Sequence, residues 1–173
     1  WSLDDNFAAW SDSNTPETWI HIKDADTSAV SFKKQASGNL IVYNTQGSSR
    51  TGLFSRYNTS RTFKIRVRGK FISGVPMILA AYALDRGEVY YIKIESDKVD
   101  VNGRSIPIRA TDWHNYELFS DDGKFASFLI DGQLVSGRIP SVNDAAFGQR
   151  GVYLLYQTQG NVSSCEVEFV KIR

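Results

Sequence analysis

Apolar and polar side chains alternate along much of this chain with the period of a β-strand. The clearest example runs from Arg61 to Phe71, where Phe63, Ile65 and Val67 alternate with basic residues. Those basic residues are Lys64, Arg66, Arg68 and Lys70. Because a period of two puts alternate side chains on opposite faces of a strand, the pattern predicts a strand with one apolar and one basic face.

Runs rich in β-branched and aromatic residues recur along the rest of the chain, separated by Gly, Asn, Asp or Ser. The other predicted strands cover residues 18–22, 29–32, 40–43, 77–82, 89–94, 113–120, 124–130, 133–136, 152–158 and 165–172. Asp85-Arg86-Gly87 and Asp131-Gly132 are predicted turns, because such steps suit the positive φ of tight hairpins. A spacing of about 8–12 residues between strands is typical of a sandwich or barrel.

The pattern therefore predicts an all-β fold of two antiparallel sheets packed as a sandwich, with almost no helix and with both chain ends in adjacent strands. One helical turn is expected within residues 141–149, which follow Pro140. No internal repeat or linker interrupts the pattern, so residues 1–173 are expected to form a single domain.

The composition argues against several classes of protein, among them nucleic-acid-binding and membrane-spanning proteins. Hydrophobic residues make up 42% and charged residues 23% of the chain, as in ordinary globular domains. The net charge of +1 argues against a nucleic-acid partner, and no apolar stretch is long enough to span a membrane. Cys165 is the single cysteine, which excludes a disulfide within the chain, and we expect it to be at least half buried. Because the chain begins with Trp1 and not with Met, we expect it to be a mature or excised piece of a longer protein.

Two segments carry a family resemblance. Trp113-His114-Asn115-Tyr116, followed by Ile130-Asp131-Gly132-Gln133-Leu134-Val135, resembles a hairpin of concanavalin A-like domains. Asp5-Asn6-Phe7 resembles their opening strand, and residues 167–172 resemble their closing strand without its usual Asp-Asn pair. This superfamily includes laminin-G domains, pentraxins and bacterial carbohydrate-binding modules, and the chain is most similar to modules such as the fructan-binding modules of levanases. The resemblance implies a jelly-roll sandwich and an extracellular or cell-surface location.

The sequence favours binding over catalysis. Retaining glycosidases need two carboxylates flanking the scissile bond, and the Glu-x-Asp-x-Glu type of pattern that supplies them in this fold is absent. Glu166 and Glu168 share one strand face and are interpreted as an exposed edge. A Gln-x-His strand of the kind found in polysaccharide lyases and a Gly-x-Ser-x-Gly elbow are also missing. His114 is expected to make a structural hydrogen bond, and no catalytic residue is predicted.

The sequence does not decide whether the protein binds a metal ion or an anion. Calcium is common in the superfamily, so a structural calcium ion is a candidate cofactor, with loop carboxylates as its ligands. The candidate ligands are three pairs, Asp4 and Asp5, Asp24 and Asp26, and Asp121 and Asp122. The basic stripe of residues 64–70 has two readings, a solvated sheet face or a groove for an anionic polymer.

Sugars are bound by aromatic rings that stack on the sugar face and by planar polar groups that contact its hydroxyls. One region of the chain mixes these residue types around a compact turn. The predicted ligand-binding residues are Tyr82, Asp85, Arg86, Glu88, Tyr90, Tyr156 and Gln157. Of Tyr90 and Tyr91, the strand pattern requires one to face inward and the other outward.

These observations predict a non-catalytic, lectin-like carbohydrate-binding module of a secreted glycan-degrading or adhesive protein. Its expected partner is a polysaccharide or oligosaccharide, with neighbouring domains of a larger chain as further partners. Two alternatives remain open, a laminin-G-like protein-interaction domain and a divergent glycosidase or polysaccharide lyase.

Overall fold

A computed structural model describes residues 3–10, 19–23, 32–43, 51–56, 61–74, 76–85, 87–157 and 163–173. These residues form strands and no helix, and so no helix long and apolar enough to cross a membrane. The strands are β1 (Leu3–Asp5), β2 (Ile20–Lys23), β3 (Phe32–Lys34), β4 (Leu40–Tyr43), β5 (Thr51–Ser55), β6 (Phe63–Gly74), β7 (Met77–Asp85), β8 (Glu88–Ile94), β9 (Lys98–Val101), β10 (Arg104–Pro107), β11 (His114–Ser120), β12 (Ala126–Ile130), β13 (Gln133–Ile139), β14 (Val142–Asn143), β15 (Gly151–Gln157) and β16 (Ser163–Ile172).

The described strands form two antiparallel sheets, which confirms the predicted all-β sandwich. The first sheet has the order β13-β12-β11-β6-β16-β4-β3, with β1 beside β16. The second sheet has the order β10-β9-β8-β7-β15-β5-β2, with β14 beside β8. Leu3 pairs with Ile172, so the two ends of the chain lie in adjacent strands, as predicted.

Neighbouring strands neutralise the basic face of β6. Lys64 and Arg66 both contact the carboxylate of Glu117 on β11, at 2.7 and 2.6 Å. On the other flank β16 supplies two carboxylates, which pair with Arg68 at 2.7 Å and with Lys70 at 3.0 Å. Each basic side chain of the stripe therefore has a carboxylate partner. Of the two readings of this stripe, the pairing favours a solvated sheet face over an anion-binding groove.

His114 and Asp131 hold the predicted β11–β12–β13 meander together. Nδ1 of His114 lies 2.7 Å from Oδ2 of Asp131, and its Nε2 lies 3.0 Å from the carbonyl oxygen of Arg109. Asp131 also accepts a hydrogen bond from the backbone N–H of Asn115 at 2.8 Å. Asp131 and Gly132 have φ angles of 51° and 80°, as the Asp-Gly turn requires. The role of His114 is thus structural, as expected.

We expect Asp131→Asn to lower the free energy of unfolding by about 1 kcal/mol at pH 7, since a half-exposed, charge-assisted hydrogen-bond network is lost. Asparagine tolerates the same positive φ, so the turn itself is preserved. Burial acts to raise the pKa of Asp131, but the hydrogen bonds from Asn115 and His114 and the His114 charge outweigh it and lower the pKa overall. A depressed pKa contributes stability that is present above the unfolded value, about 4, and is lost as the pH falls through the folded value.

Urea unfolding of both proteins at pH 7 and near pH 3 measures this contribution. The difference in the free energy of unfolding between wild type and Asp131→Asn should be smaller near pH 3 than at pH 7. A gap that stays constant between the two pH values would contradict the assigned role of the carboxylate.

The main core fills the space between the sheets and is rich in large rings. Its fully buried large side chains include Tyr82, Tyr90, Tyr116, Phe7 and Phe128. Cys165 also lies there, 1% exposed and unpaired, with Sγ 3.1 Å from Sδ of Met77. Burial raises the pKa of this thiol, so the expectation of a buried, unpaired cysteine is confirmed.

A second apolar cluster lies on the outward face of the second sheet. On β7, Ala81 and Ala83 belong to this cluster, whereas Tyr82 and Leu84 belong to the main core. The other buried members of the cluster are Phe54, Ile78, Val89, Phe147 and Tyr153. Phe147 comes from the segment expected to hold a helical turn. That expectation is wrong, because residues 142–143 instead pair with β8 and the following residues form turns.

Candidate functional site

The predicted site lies at the turn between β7 and β8, and the described residues on either side of Arg86 are held by pairing and by backbone hydrogen bonds. Asp85 pairs with Glu88 across it, and Gly87 between them has a φ of 78°. The segment after β14 braces the turn from outside, because Gly87 N–H donates to the Phe147 carbonyl at 2.8 Å and Asp144 N–H donates to the Gly87 carbonyl at 2.6 Å. The compact supported turn predicted from the sequence is therefore present.

Tyr82 and Tyr90 are cross-strand neighbours whose rings lie in the core. Their rings stack on Phe63 with centroid distances of 4.2 and 5.8 Å, and the residues are 0% and 1% exposed. The expectation that Tyr90 offers a stacking surface is therefore corrected. Alternation along β8 turns this ring toward the other sheet, and Tyr91 is the half-buried, outward ring. Binding through Tyr82 or Tyr90 stays a prediction, and any such contact would involve their hydroxyl groups, because the rings are buried.

The hydroxyl groups of Tyr82 and Tyr90 both have hydrogen-bond partners. The Tyr90 hydroxyl donates to the Lys124 carbonyl at 2.9 Å. Burial raises the pKa of Tyr90, with a further contribution from the charge of Glu88. Burial likewise raises the pKa of Tyr82, and a hydrogen bond from Arg150 offsets this only in part. Both phenols therefore stay neutral hydrogen-bonding groups at physiological pH.

Glu88 is held at the start of β8. Ser141 donates its hydroxyl proton to Oε1 of Glu88 at 2.8 Å, and Asn143 pairs with Glu88 across β14 and β8. The carboxylate is half buried and has room for further donors, since each oxygen accepts more than one hydrogen bond. Glu88 can therefore accept from a ligand hydroxyl while Ser141 fixes its position.

The remaining predicted residues are only partly covered by the structure. Asp85, Tyr156 and Gln157 have described backbones at the ends of β7 and β15, but their side chains lie outside the described part. Arg86 lies outside the described residues altogether. Tyr156 pairs with Ile78 of β7, which lies toward the opposite end of that strand from Asp85. The backbone therefore does not bring Tyr156 and Gln157 next to the turn with which they were grouped.

A slot that the sequence reasoning missed adjoins this site. It has a volume of about 210 Å³ and is lined by Val101, Asn102 and Arg104 on one side and by residues 136–140 on the other. In the described sheets β10 and β13 are each the last strand of their sheet, so we call this feature the edge slot. Pro140 at its rim directly precedes Ser141, the partner of Glu88.

One signal in the sequence could have located the edge slot. Asn102-Gly103 is an Asn-Gly step between two short alternating runs, which is a strong hairpin signal. The structure places β9 and β10 on either side of it, with φ angles of 50° at Asn102 and 83° at Gly103. The positive φ of 54° at Arg138 carries no comparable sequence signal.

Three of the candidate calcium ligands that the structure describes, Asp4, Asp5 and Asp122, have protein partners, and Asp4 pairs with Lys171 at 2.8 Å. Asp5 accepts from the indole N–H groups of Trp10 and Trp19 at 2.9 and 3.0 Å. Asp122 accepts from the backbone of residues 124 and 125, and these hydrogen bonds lower its pKa. Asp24 and Asp26 lie outside the described residues. Within the described ranges, no group of three or more His, Cys, Asp or Glu side chains is placed to hold a metal ion.

No protein-family model and no curated protein sequence matches this chain. Solved structures do match. One is a β-1,3-glucanase from Mycobacterium marinum, with a TM-score of 0.60, 10% identity, and coverage of 99% of this chain and 97% of that chain. Another is the alginate lyase AlgAT5 of Polysaccharide Lyase family 7, with a TM-score of 0.56, 14% identity, and coverage of 82% and 81%.

A third similar structure is a GH43 glycoside hydrolase engineered to display both endo-xylanase and exo-arabinofuranosidase activity. Its TM-score is 0.64 at 15% identity, and the match covers 99% of this chain but 40% of that one. At such identities the likeness establishes the fold alone. The chain thus has the concanavalin A-like jelly-roll sandwich that glycoside hydrolases and polysaccharide lyases also adopt.

Proposed function

We propose that this chain is a non-catalytic, lectin-like carbohydrate-binding module. The observation that carries the proposal is the make-up of the outward face of the second sheet. Among the described side chains of β7, β8, β9 and β15, this face holds the second apolar cluster, Tyr91 and Lys93, and a single carboxylate, that of Asp100, which lies opposite Lys93 and accepts from the Gly103 N–H. Hydrolysis of a glycosidic bond by the common mechanisms needs two carboxyl groups on opposite sides of it. This face is suited to hold a sugar, not to hydrolyse it.

The ring expected to stack on the sugar is Tyr91. It is half buried, its ring stacks on Phe147 with centroids 5.9 Å apart, and Lys93 Nζ lies 5.2 Å from its centroid. Support from Phe147 fixes the ring, and a fixed ring loses little entropy when a ligand stacks on it. Lys93 is a flexible side chain that an incoming sugar can displace. Glu88, three residues before Tyr91 at the start of the same strand, is the proposed acceptor for sugar hydroxyls at the turn.

Two features of the structural comparisons support a glycan ligand. Proteins that share the fold carry names of glycan-cleaving enzymes, and one of them is described with a 1,3-β-D-cellobiosyl-glucose at its active site. The match to 40% of the GH43 chain shows that a unit of this shape occurs within longer proteins. We propose that this module belongs to a secreted or cell-surface protein that degrades glycans or adheres to them.

Replacing Tyr91 by Ala is expected to weaken binding about tenfold, which corresponds to about 1.4 kcal/mol, the scale of one aromatic stacking contact. Affinity electrophoresis against plant, algal and bacterial polysaccharides first identifies a retarding glycan, and titration calorimetry then compares the variants. Phe169→Ala is the matched control, because Phe169 is a half-buried ring on the first sheet with Lys171 5.3 Å from its centroid. Equal affinities of the two variants would place the sugar elsewhere.

A second function is favoured by one observation. The similar structures named above are enzymes, so a divergent glycosidase or lyase is the competing proposal. In the candidate site, Glu88 is the carboxylate residue with a described side chain. If Glu88 is catalytic, Glu88→Gln should abolish the formation of cleavage products. If the chain is instead a binding module, neither the wild-type protein nor Glu88→Gln releases product, and Glu88→Gln weakens binding only modestly.

A further inference from the structure

We infer that the edge slot is a subsite for the carboxylate of an acidic sugar, so that the glycan bound by this module contains uronic acid units. This inference rests on the proposed carbohydrate-binding function and names the chemical class of its ligand. It is carried by the two arginines of the slot and by the way the surrounding backbone holds them.

The slot presents positive charge and no negative charge. Arg104 comes from the edge of the second sheet and Arg138 from the edge of the first, and both are exposed. The lining residues include no carboxylate, and within the described part of the chain no Asp or Glu forms an ion pair with either guanidinium. This differs from the basic stripe on β6, where Glu117, Glu166 and Glu168 pair with the cations. A guanidinium without such a partner is available to bind an anion in the two-pronged geometry that fits a carboxylate.

Arg138 is oriented by an irregularity in β13. Ala126 pairs with Ile139 and Phe128 with Ser136, so Gly137 and Arg138 both lie opposite a single residue of β12. Such a bulge re-aims a side chain, and the φ of 54° at Arg138 is part of it. The guanidinium carbon then lies 4.4 Å from the ring centroid of Phe125. That contact limits the freedom of the side chain before any ligand arrives.

Two hydrogen bonds tie the walls of the slot together. Arg104 donates to the hydroxyl oxygen of Ser136 at 3.3 Å, across the gap between the two sheets. The Asn102 amide donates to the Pro140 carbonyl, and its oxygen accepts from the backbone N–H of Tyr91 at 3.4 Å. The slot is therefore connected to the strand that carries the proposed stacking ring.

The test compares two forms of one polymer. Polygalacturonate carries a carboxylate on every unit, and its methyl-esterified form keeps the backbone but lacks the charge. We expect wild-type protein to bind the acid form at least about tenfold more tightly, with an affinity that falls as salt is raised. Arg104→Gln and Arg138→Gln should each weaken binding of the acid form at least about tenfold, the scale expected for the loss of a hydrogen bond to a charged group. Neither variant should change binding of the ester.

Arg109→Gln is the matched control, since it removes the same charge from a side chain that is 80% exposed and lies outside the slot. It should bind within about twofold of wild type, and thermal unfolding confirms that all variants are folded. If the two slot variants bind polygalacturonate as well as Arg109→Gln does, the inference is wrong.

Two further outcomes overturn the inference in different ways. If wild-type protein binds neutral glycans but shows no preference for the acid form, the carbohydrate-binding function stands and the edge slot is not its acidic subsite. If it binds no polysaccharide of either kind, the proposed function fails together with the subsite. Equal affinity for dextran sulfate, which contains no uronic acid, would overturn the assignment of a carboxylate in favour of sulfate.

Discussion

Gly151→Ala is expected to lower the free energy of unfolding by about 3 kcal/mol, one of the two largest losses that we predict for a single substitution in this chain. A Cβ atom at Gly151 would lie 2.5 Å from the carbonyl oxygen of Ser55 and 2.8 Å from Cε2 of Phe54. Both neighbours belong to β5, which pairs with β15 and cannot retreat without breaking the ladder. Overpacking of this kind costs about 1–3 kcal/mol, and the φ of 147° at Gly151 adds strain for a residue with a side chain.

Gly132→Ala separates the two contributions to that loss. Gly132 has a φ of 80°, and a Cβ atom added there would meet no other atom within 4 Å. Its substitution therefore carries backbone strain without overlap and should cost about 1 kcal/mol. Urea unfolding of both variants at one temperature measures the difference. Equal losses at the two positions would mean that β5 and β15 are packed less closely than described.

Phe147→Ala is expected to destabilise the protein by about 3–4 kcal/mol, the range for removing a fully buried ring. Phe147 is 0% exposed and its ring packs against Tyr153 at 4.9 Å and Tyr91 at 5.9 Å. Its loss removes the apolar anchor of the segment that braces the turn between β7 and β8. The variant should therefore also weaken glycan binding, since Tyr91 loses the ring that supports it.

Leu134→Ala is the control for this substitution. Leu134 is a large apolar side chain on β13 that is 65% exposed, and surface substitutions of this kind change stability by about 0.5 kcal/mol or less. Chemical unfolding of the two variants compares an anchored apolar side chain with a solvated one. A loss below about 1 kcal/mol for Phe147→Ala would show that the outward cluster contributes little to folding.

Period-two alternation was sufficient to predict the sandwich and most of its strands. β6 is the best case, because its inward residues are apolar and its outward ones are basic, and the structure pairs those cations with carboxylates from β11 and β16. The pairing itself could not be predicted, since Glu117 and Lys64 are far apart in the chain and meet only through the sheet order. The weakest strands were missed where short runs carry few apolar residues, as in Thr51–Ser55 and Arg104–Pro107.

The candidate site was predicted in part. A turn between β7 and β8 follows from two apolar strands joined by a polar, Gly-containing step, and in the structure Asp85 pairs with Glu88 across it. The sequence could not show whether Tyr90 or Tyr91 faces outward. The residues on either side of this pair are both apolar, so either orientation of the strand fits the alternation. The edge slot depends on two sheet edges meeting and on a bulge at Arg138, and neither is visible in local sequence.

We propose that the protein binds its glycan without cleaving it, and one incubation distinguishes binding from cleavage. Wild-type protein is held with the polysaccharide that retards it most strongly in affinity electrophoresis, at a concentration that calorimetry shows to be saturating. Reducing ends and the ultraviolet absorbance of unsaturated sugars are then followed over many hours. We expect a saturable binding isotherm with no rise in either product. Steady, protein-dependent release of reducing or unsaturated ends from the bound glycan would contradict it and identify the chain as an enzyme.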